Sequence, residues 1–200
     1  MIRTRLLVVG AGGHGRSVAE AAKLSGQFEV VGFLDDAAPV GERVLGSHVL
    51  GTVASMTGHC SVIDQAVVAI GNNAIREKLM QQLTEAGYAM ATVVHPCAFV
   101  SPSAVVGGGT AIMAGAIVGT EARVGVGSIV NCGAVVDHHA RVEDFGHLGV
   151  NASMVGGTVL GRGAWMQVGA ALGYGVKIPS AVTLEPGEAV DVKTNKYNND

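Results

Sequence analysis

Three groups of residues have types and spacing suited to chemistry. The first is Gly10-x-Gly12-x-x-Gly15 with His14 inside it, between an apolar run (Leu6–Val9) and a helical one. A turn of this kind lets backbone N–H groups and a helix N-terminus approach an anion, because no side chain intervenes. The second group stands where two later apolar runs end. Asp35-Asp36 follows Val30–Leu34, about 20 residues after the glycines, where an acid grips a ribose or base. Gly71-Asn72-Asn73 follows Val67–Ile70, and Asn73 there also suits the cap of a helix starting near Ala74. The third group is Asn131-Cys132-Gly133-Ala134-Val135-Val136-Asp137-His138-His139. An imidazole, with its ordinary pKa of about 6.5, is suited to accept a proton near neutral pH, which singles out His138.

These groups need elements to hold them. Over residues 1–92, short apolar runs alternate with helical stretches. Arg16–Leu24 places Val18, Ala21, Ala22 and Leu24 on one face and stops at Ser25-Gly26. Val49–Val53 is a weaker strand signal, and Ala74–Ala86 carries Ile75, Leu79 and Leu83 at helical spacing. The βαβ order predicts an α/β domain with a small Rossmann-like parallel sheet. All three glycine- or acid-bearing turns then fall at the carboxyl ends of strands, where open parallel sheets bind ligands.

Residues 93–192 follow another rule. Every sixth residue from Val94 to Val190 is aliphatic or Met: Val94, Val100, Val106, Ile112 and so on without a break. Against a roughly 45–50 % apolar background, chance gives such a run about once in 10⁵–10⁶ trials. A small residue follows four positions later in most hexads (Ala116, Ala122, Ser128, Ala134), and a glycine often precedes it (Gly115, Gly127, Gly133). A period of six is the hexapeptide repeat of a parallel β-helix. Three hexads make a triangular coil, so residues 18 apart stack. The aliphatic residue points inward, the small one fits the corner, and glycine relieves the backbone where φ > 0 is needed. His138 comes two residues after inward Val136, so its side chain is expected to leave the prism at a corner. Cys132 holds the same turn position one hexad earlier, at a different corner, which argues against a Cys–His dyad. Residues 193–200 read as a polar tail.

Composition narrows the function classes. Hydrophobic residues make up 48 % and charged ones 14 %, which excludes disorder by composition. Glycine is 30 of 200, about twice its usual share of roughly 7 %, while proline is only 5, which fits many turns and excludes collagen. A net charge of −3 with no Lys/Arg cluster predicts no nucleic-acid partner. Cys60, Cys97 and Cys132 are scattered, without CxxC, so neither a disulfide framework nor a metal site is expected. No apolar run is long enough for a signal peptide or membrane insertion, so a cytoplasmic protein is expected.

An unbroken hexad series behind an N-terminal part reading LLVVGAGGHGRSVAEAA, VVGFLDD and VAIGNNAIREKL resembles one bacterial family. It is the sugar acetyltransferases typified by the sugar-nucleotide N-acetyltransferases of bacillosamine and perosamine synthesis. The chain is similar, too, to sialic acid O-acetyltransferases built on the same plan. The likeness covers essentially the whole chain, and the Asn131–His138 stretch sharpens it. It implies a left-handed β-helix and a homotrimer with acetyl-CoA between neighbouring helices. The implied reaction is acetyl transfer to the amine of a nucleotide-linked amino sugar, with His138 as base and no metal. Gly12, Gly13, His14, Asp35, Asp36, Gly71 and Asn72 would hold the nucleotide-sugar; Asn131, His147, Gly156 and Ala164 would hold acetyl-CoA. The family usually carries a carboxylate directly after its histidine, where this chain has His139. The orienting group is then Asp137 or a backbone carbonyl, or the base is less strongly activated. O-acetylation of a sugar hydroxyl, or ligand binding without catalysis, are the two other functions the pattern allows.

Overall fold

The computed structural model describes residues 3–59 and 62–197; Cys60 and the last three residues of the polar tail lie outside them. The chain divides into two compact units, Met1–Pro96 and Cys97–Asp200.

In the first unit, strand β1 (Thr4–Val9) leads into helix α1 (Gly13–Leu24), then β2 (Phe28–Leu34). A hairpin follows, β3 (Arg43–Val44) and β4 (Ser47–Gly51). A 3-10 stretch (Val53–His59), β5 (Gln65–Val68), α2 (Asn73–Glu85) and β6 (Ala89–Met90) complete it. The sheet order is β3-β4-β2-β1-β5-β6, parallel throughout except for the β3–β4 hairpin. Central β1 is apolar on both faces because both are covered: Leu6, Leu7, Val8 and Val9 are fully buried. Helix α1 ends at Leu24, and Gly26 just past its cap has a φ of 71°, as suits that position.

Several elements depart from the sequence expectation. The weak strand signal at Val49–Val53 belongs to β4, which ends at Gly51, and its partner β3 is too short to read. Their turn is Leu45-Gly46, with φ of 49° and 84°; both being positive suits a two-residue hairpin, though Leu is an unusual choice. Helix α2 begins one residue earlier than expected. Its cap is therefore Asn72, whose Oδ1 accepts the Ile75 N–H at 3.0 Å, and not Asn73.

The second unit is a left-handed parallel β-helix. Each hexad contributes a two-residue strand, and the expected inward residue is always the second of the two, from Val100 through Val190. Strands 18 residues apart pair in parallel: Val118↔Val136↔Met154 on one face, Val124↔Val142↔Leu160 on the next, Val130↔Leu148↔Met166 on the third. Inward residues are buried from Ile112 onward. Where the small corner residue is a hydroxyl it bonds a carbonyl instead of being stranded, as Thr110 Oγ1 does to Gly125 O at 3.0 Å. The left-handed backbone position also recurs every six residues, from Gly109 to Gly187. Glycine fills most of these positions; the exceptions are Glu121, His139, Phe145, Asn151 and Ala181.

Candidate functional site

At the carboxyl end of the first unit's sheet, Gly10 sits where the chain order turns between β1 and its neighbours β2 and β5. Its φ is +107°, and a Cβ would lie 2.8 Å from the Ala69 carbonyl oxygen. Gly15 is packed against the Gly10 carbonyl so closely that no Cβ fits. Gly10 and Gly15 thus serve the fold. Gly12 and Gly13 do not: nothing lies within 4 Å of where their Cβ atoms would stand. Gly12 is the N-cap of α1 and offers no side chain to its first N–H groups. A helix start with bare glycines and open space is a place for an anion.

His14 is the second residue of α1. Burial, with the nearby Arg76 cation second, lowers its imidazole pKa to about 4. It is therefore neutral at pH 7, and its Nε2 is buried with no hydrogen-bond partner among the described residues. Arg76, on the first turn of α2, is 1 % exposed, and burial lowers its pKa to about 10. Its guanidinium donates to Ile70 O (3.0 Å), Gly71 O (3.2 Å) and Asn73 Oδ1 (2.8 Å), so it fixes the whole Gly71-Asn72-Asn73 loop. No sequence signal marked it; a lone arginine in an amphipathic helix reads as solvated.

Asp35, expected to face a ribose or base, has both carboxylate oxygens engaged by the backbone. Oδ2 accepts the Ala11 N–H at 2.7 Å, and Oδ1 accepts those of Ala37 and Ala38 at 2.8 Å each. Burial raises its pKa, but the three N–H groups outweigh that and the net shift is downward. Asp35 staples the glycine turn to the loop after β2. Asn72 is likewise engaged through its Oδ1 as the α2 cap. Asp36 gives one oxygen to the Val53 N–H at 2.8 Å. It borders a cavity of about 430 Å³ whose apolar lining includes Leu34, Ile70 and Leu79 and whose polar lining includes Lys78 and Gln82.

On the β-helix, His138 stands at a corner with its side chain 53 % exposed, as expected from its register. Its ring lies against Gly156, one coil on, in the space a Cβ would fill. Gly157 beside it is also bare, with nothing within 4 Å of its Cβ position. Asp137 Oδ1 accepts the His138 backbone N–H at 2.7 Å, while Oδ2 is 3.7 Å from Nε2. Asp137 therefore does not hold Nδ1. That atom is 3.0 Å from His139 Nδ1, and His139 Nε2 is 3.1 Å from Glu121 Oε2. Glu121 was missed in the sequence, although 18 residues separate it from His139 and the repeat stacks such pairs.

Three other expected residues sit elsewhere on the prism. Asn131 lies at the corner before His138, its Oδ1 accepting the Cys132 N–H at 2.8 Å. His147 lies on the third face, 6 % exposed, stacked on Trp165 with centroids 5.3 Å apart and planes 14° apart. Ala164 has a fully buried side chain; its N–H donates to Gly161 O and its carbonyl accepts the His147 N–H. It is a small corner residue, which is why the repeat requires it. Cys132 is a free thiol away from the His138 corner. Among the described residues, no cluster of His, Cys, Asp or Glu could hold a metal, and no helix is long and apolar enough to cross a membrane.

A hexapeptide β-helix carrying an exposed corner histidine, behind a glycine-turn α/β unit, defines a class of acyltransferases. Residues 5–83 match the PglD N-terminal domain family. UDP-N-acetylbacillosamine N-acetyltransferase of Bacillus subtilis is 34 % identical over 109 residues, 54 % of this chain; the match spans only half the length of that relative. The acetyltransferase domain of PglB from Neisseria gonorrhoeae, solved with acetyl coenzyme A, is 33 % identical. That match covers 96 % of this chain and 94 % of the other, with a TM-score of 0.88. A histidine-to-asparagine variant of perosamine N-acetyltransferase from Caulobacter crescentus, solved with CoA and GDP-perosamine, is 31 % identical. It covers 96 % of this chain and 92 % of its own, with a TM-score of 0.89. The chain belongs to this family of bacillosamine- and perosamine-type sugar-nucleotide N-acetyltransferases.

Proposed function

We propose that the chain transfers an acetyl group from acetyl-CoA to the amine of a nucleotide-linked amino sugar, with His138 as general base. The observation that carries this is His138 itself: an exposed imidazole at a corner, with its Nδ1 engaged by a neighbour and its ring seated on a glycine. Acetyl-CoA supplies an activated thioester, and a neutral amine attacks it without a metal. His138 Nε2 then removes the proton that the nitrogen sheds as it becomes an amide. Asp137 Oδ2, 3.7 Å from Nε2, is an anion placed to steady the imidazolium so formed.

The nucleotide-sugar binds the first unit. Its diphosphate meets the start of α1 at Gly12 and Gly13, with His14 Nε2 as a further contact. The nucleoside enters the cavity beside Asp36, Lys78 and Gln82, with Gly71 at the loop that Arg76 holds. Asp35 and Asn72 shape this site without contacting the ligand. For acetyl-CoA, Asn131, His147 and Gly156 are the residues proposed. Within one chain Asn131 and His147 belong to a different corner and face from His138, so they meet it only across an interface. A homotrimer supplies that interface, each cofactor lying between two β-helices. The protein acts in the cytoplasm.

The test is free-thiol release from acetyl-CoA with a panel of amino sugars, using wild-type protein and His138→Ala. The variant should lose roughly 10²–10⁴ in kcat, the worth of a general base, with little change in KM. Near-normal turnover would remove His138 from the mechanism.

A further inference from the structure

We propose that Glu121, His139 and His138 form a hydrogen-bonded relay, in which a carboxylate one coil away fixes the tautomer of the base through a second imidazole. The proposal deepens the assignment of His138 as base and rests on it. Two neutral imidazoles that meet Nδ1 to Nδ1 at 3.0 Å need one donor and one acceptor. Glu121 decides which is which. Its ionised carboxylate can only accept, so His139 Nε2, 3.1 Å away, carries the hydrogen. Neutral His139 then has a bare Nδ1, and the hydrogen between the rings belongs to His138 Nδ1. That leaves Nε2 of His138 bare, as proton removal requires. The rings stand at 87° to each other, so the contact is edge-on and not a stack.

The backbone supports this assignment independently. Glu121 and His139 occupy the same corner in successive coils, and the His139 N–H donates to Thr120 O at 2.9 Å. Both have left-handed φ, 56° and 58°, where the next two coils carry Gly157 and Gly175. Two side chains thus stand on a corner that glycine fills more easily, and they are bonded to each other. The charged groups around them are Asp137, close to Nε2 of His138, and Arg123 and Arg141, which line one groove with Glu121 and His139. His139 and Glu121 are positioning residues; neither touches substrate.

Protons and bonds balance. The amine nitrogen bonds to the acetyl carbon, and its proton passes to His138 Nε2. The positive charge on His138 is met by Glu121 through His139, with both intervening hydrogens staying on their nitrogens. The carbon–sulfur bond then breaks, and the departing thiolate takes the proton from Nε2. The amide and the free thiol leave, and His138 is neutral again.

The experiment compares Glu121→Gln in two backgrounds, wild type and His139→Glu, with the intact protein, acetyl-CoA and a nucleotide-linked amino sugar. Glu already adopts the left-handed corner at 121, so the backbone at 139 suits it, and there it is meant to meet His138 without the second imidazole. With His at 139, Glu121→Gln should lower kcat roughly tenfold, as loss of an orienting partner does, with KM unchanged. With Glu at 139, the same change should cost less than about twofold. Equal losses in both backgrounds, or none in either, overturn the relay. A second readout needs no substrate: ¹⁵N NMR above neutral pH should show hydrogen on His138 Nδ1 and His139 Nε2. The opposite tautomer on either ring overturns it too. If His138→Ala keeps its turnover, the base assignment falls and the relay with it; if His138→Ala is inactive and Glu121→Gln is not impaired, the relay alone falls.

Discussion

The imidazole of His138 fills the space where Gly156, one coil further on, would carry a Cβ. The base is thus seated by an absence, and the glycine is required by the ring and not by its own backbone: Gly156 is not among the left-handed positions. Gly156→Ala should therefore swing the ring aside while leaving the coil intact. We expect kcat to fall roughly 10- to 100-fold, the cost of a misplaced catalytic group, with the KM for the nucleotide-sugar and the melting temperature little changed. Steady-state kinetics beside a thermal melt checks this; an active variant would mean that the ring is not held where its function needs it.

The glycines of the first turn separate in the same way. Gly15→Ala drives a methyl into the Gly10 carbonyl and should destabilise the chain by about 1–3 kcal/mol, as overpacking does. Gly12→Val places its Cβ in open space and should cost the melt no more than a poorer N-cap residue does. It should instead raise the KM for the nucleotide-sugar and leave that for acetyl-CoA unaltered. Denaturant titration and kinetics on the two variants read these effects apart.

Acid should weaken the fold through His14 in a defined window. Its folded pKa is about 4, below the roughly 6.5 of an unfolded histidine. At pH 7 the native histidine is neutral and the unfolded one mostly so. As the pH falls below about 6.5 the unfolded chain gains a proton that the native chain refuses. Stability is then lost progressively down to about pH 4, by up to about 3 kcal/mol. His14→Gln should flatten the pH dependence of unfolding in that window. A further loss from Asp35, whose pKa is lowered, belongs below it, as the pH falls through its folded value.

How far the sequence reaches depends on how often a feature repeats. Every hexad solves the same packing problem, so the inward series from Val100 to Val190 was legible residue by residue. The exposure of His138 followed from the same register. Single events were not legible. Asp35 looks like a ligand-binding acid until three backbone N–H groups are found on it. Arg76 looks like a surface residue until the Gly71 loop is seen wrapped around it. Glu121 was within reach of the 18-residue repeat, but only the structure shows that its carboxylate and the His139 ring turn toward each other.

The proposed trimer would bring Asn131 and His147 of one chain to His138 of another. The protein should sediment at three times its chain mass of 20.2 kDa, with or without substrates. Mixing inactive His138→Ala with inactive His147→Ala protein, after dissociation and reassembly, should restore part of the activity, because some interfaces then carry both histidines. No recovery would place all the groups of one site on one chain.

The account rests on an acceptor that is a nucleotide-linked amino sugar. Its most direct test is kcat/KM for a nucleotide-linked amino sugar against the same amino sugar without its nucleotide, read by thiol release. The linked substrate should be preferred by at least about 10²-fold, since a phosphate site and a base cavity add several kcal/mol of binding. Equal values for the two would contradict the account and assign the enzyme to free sugars.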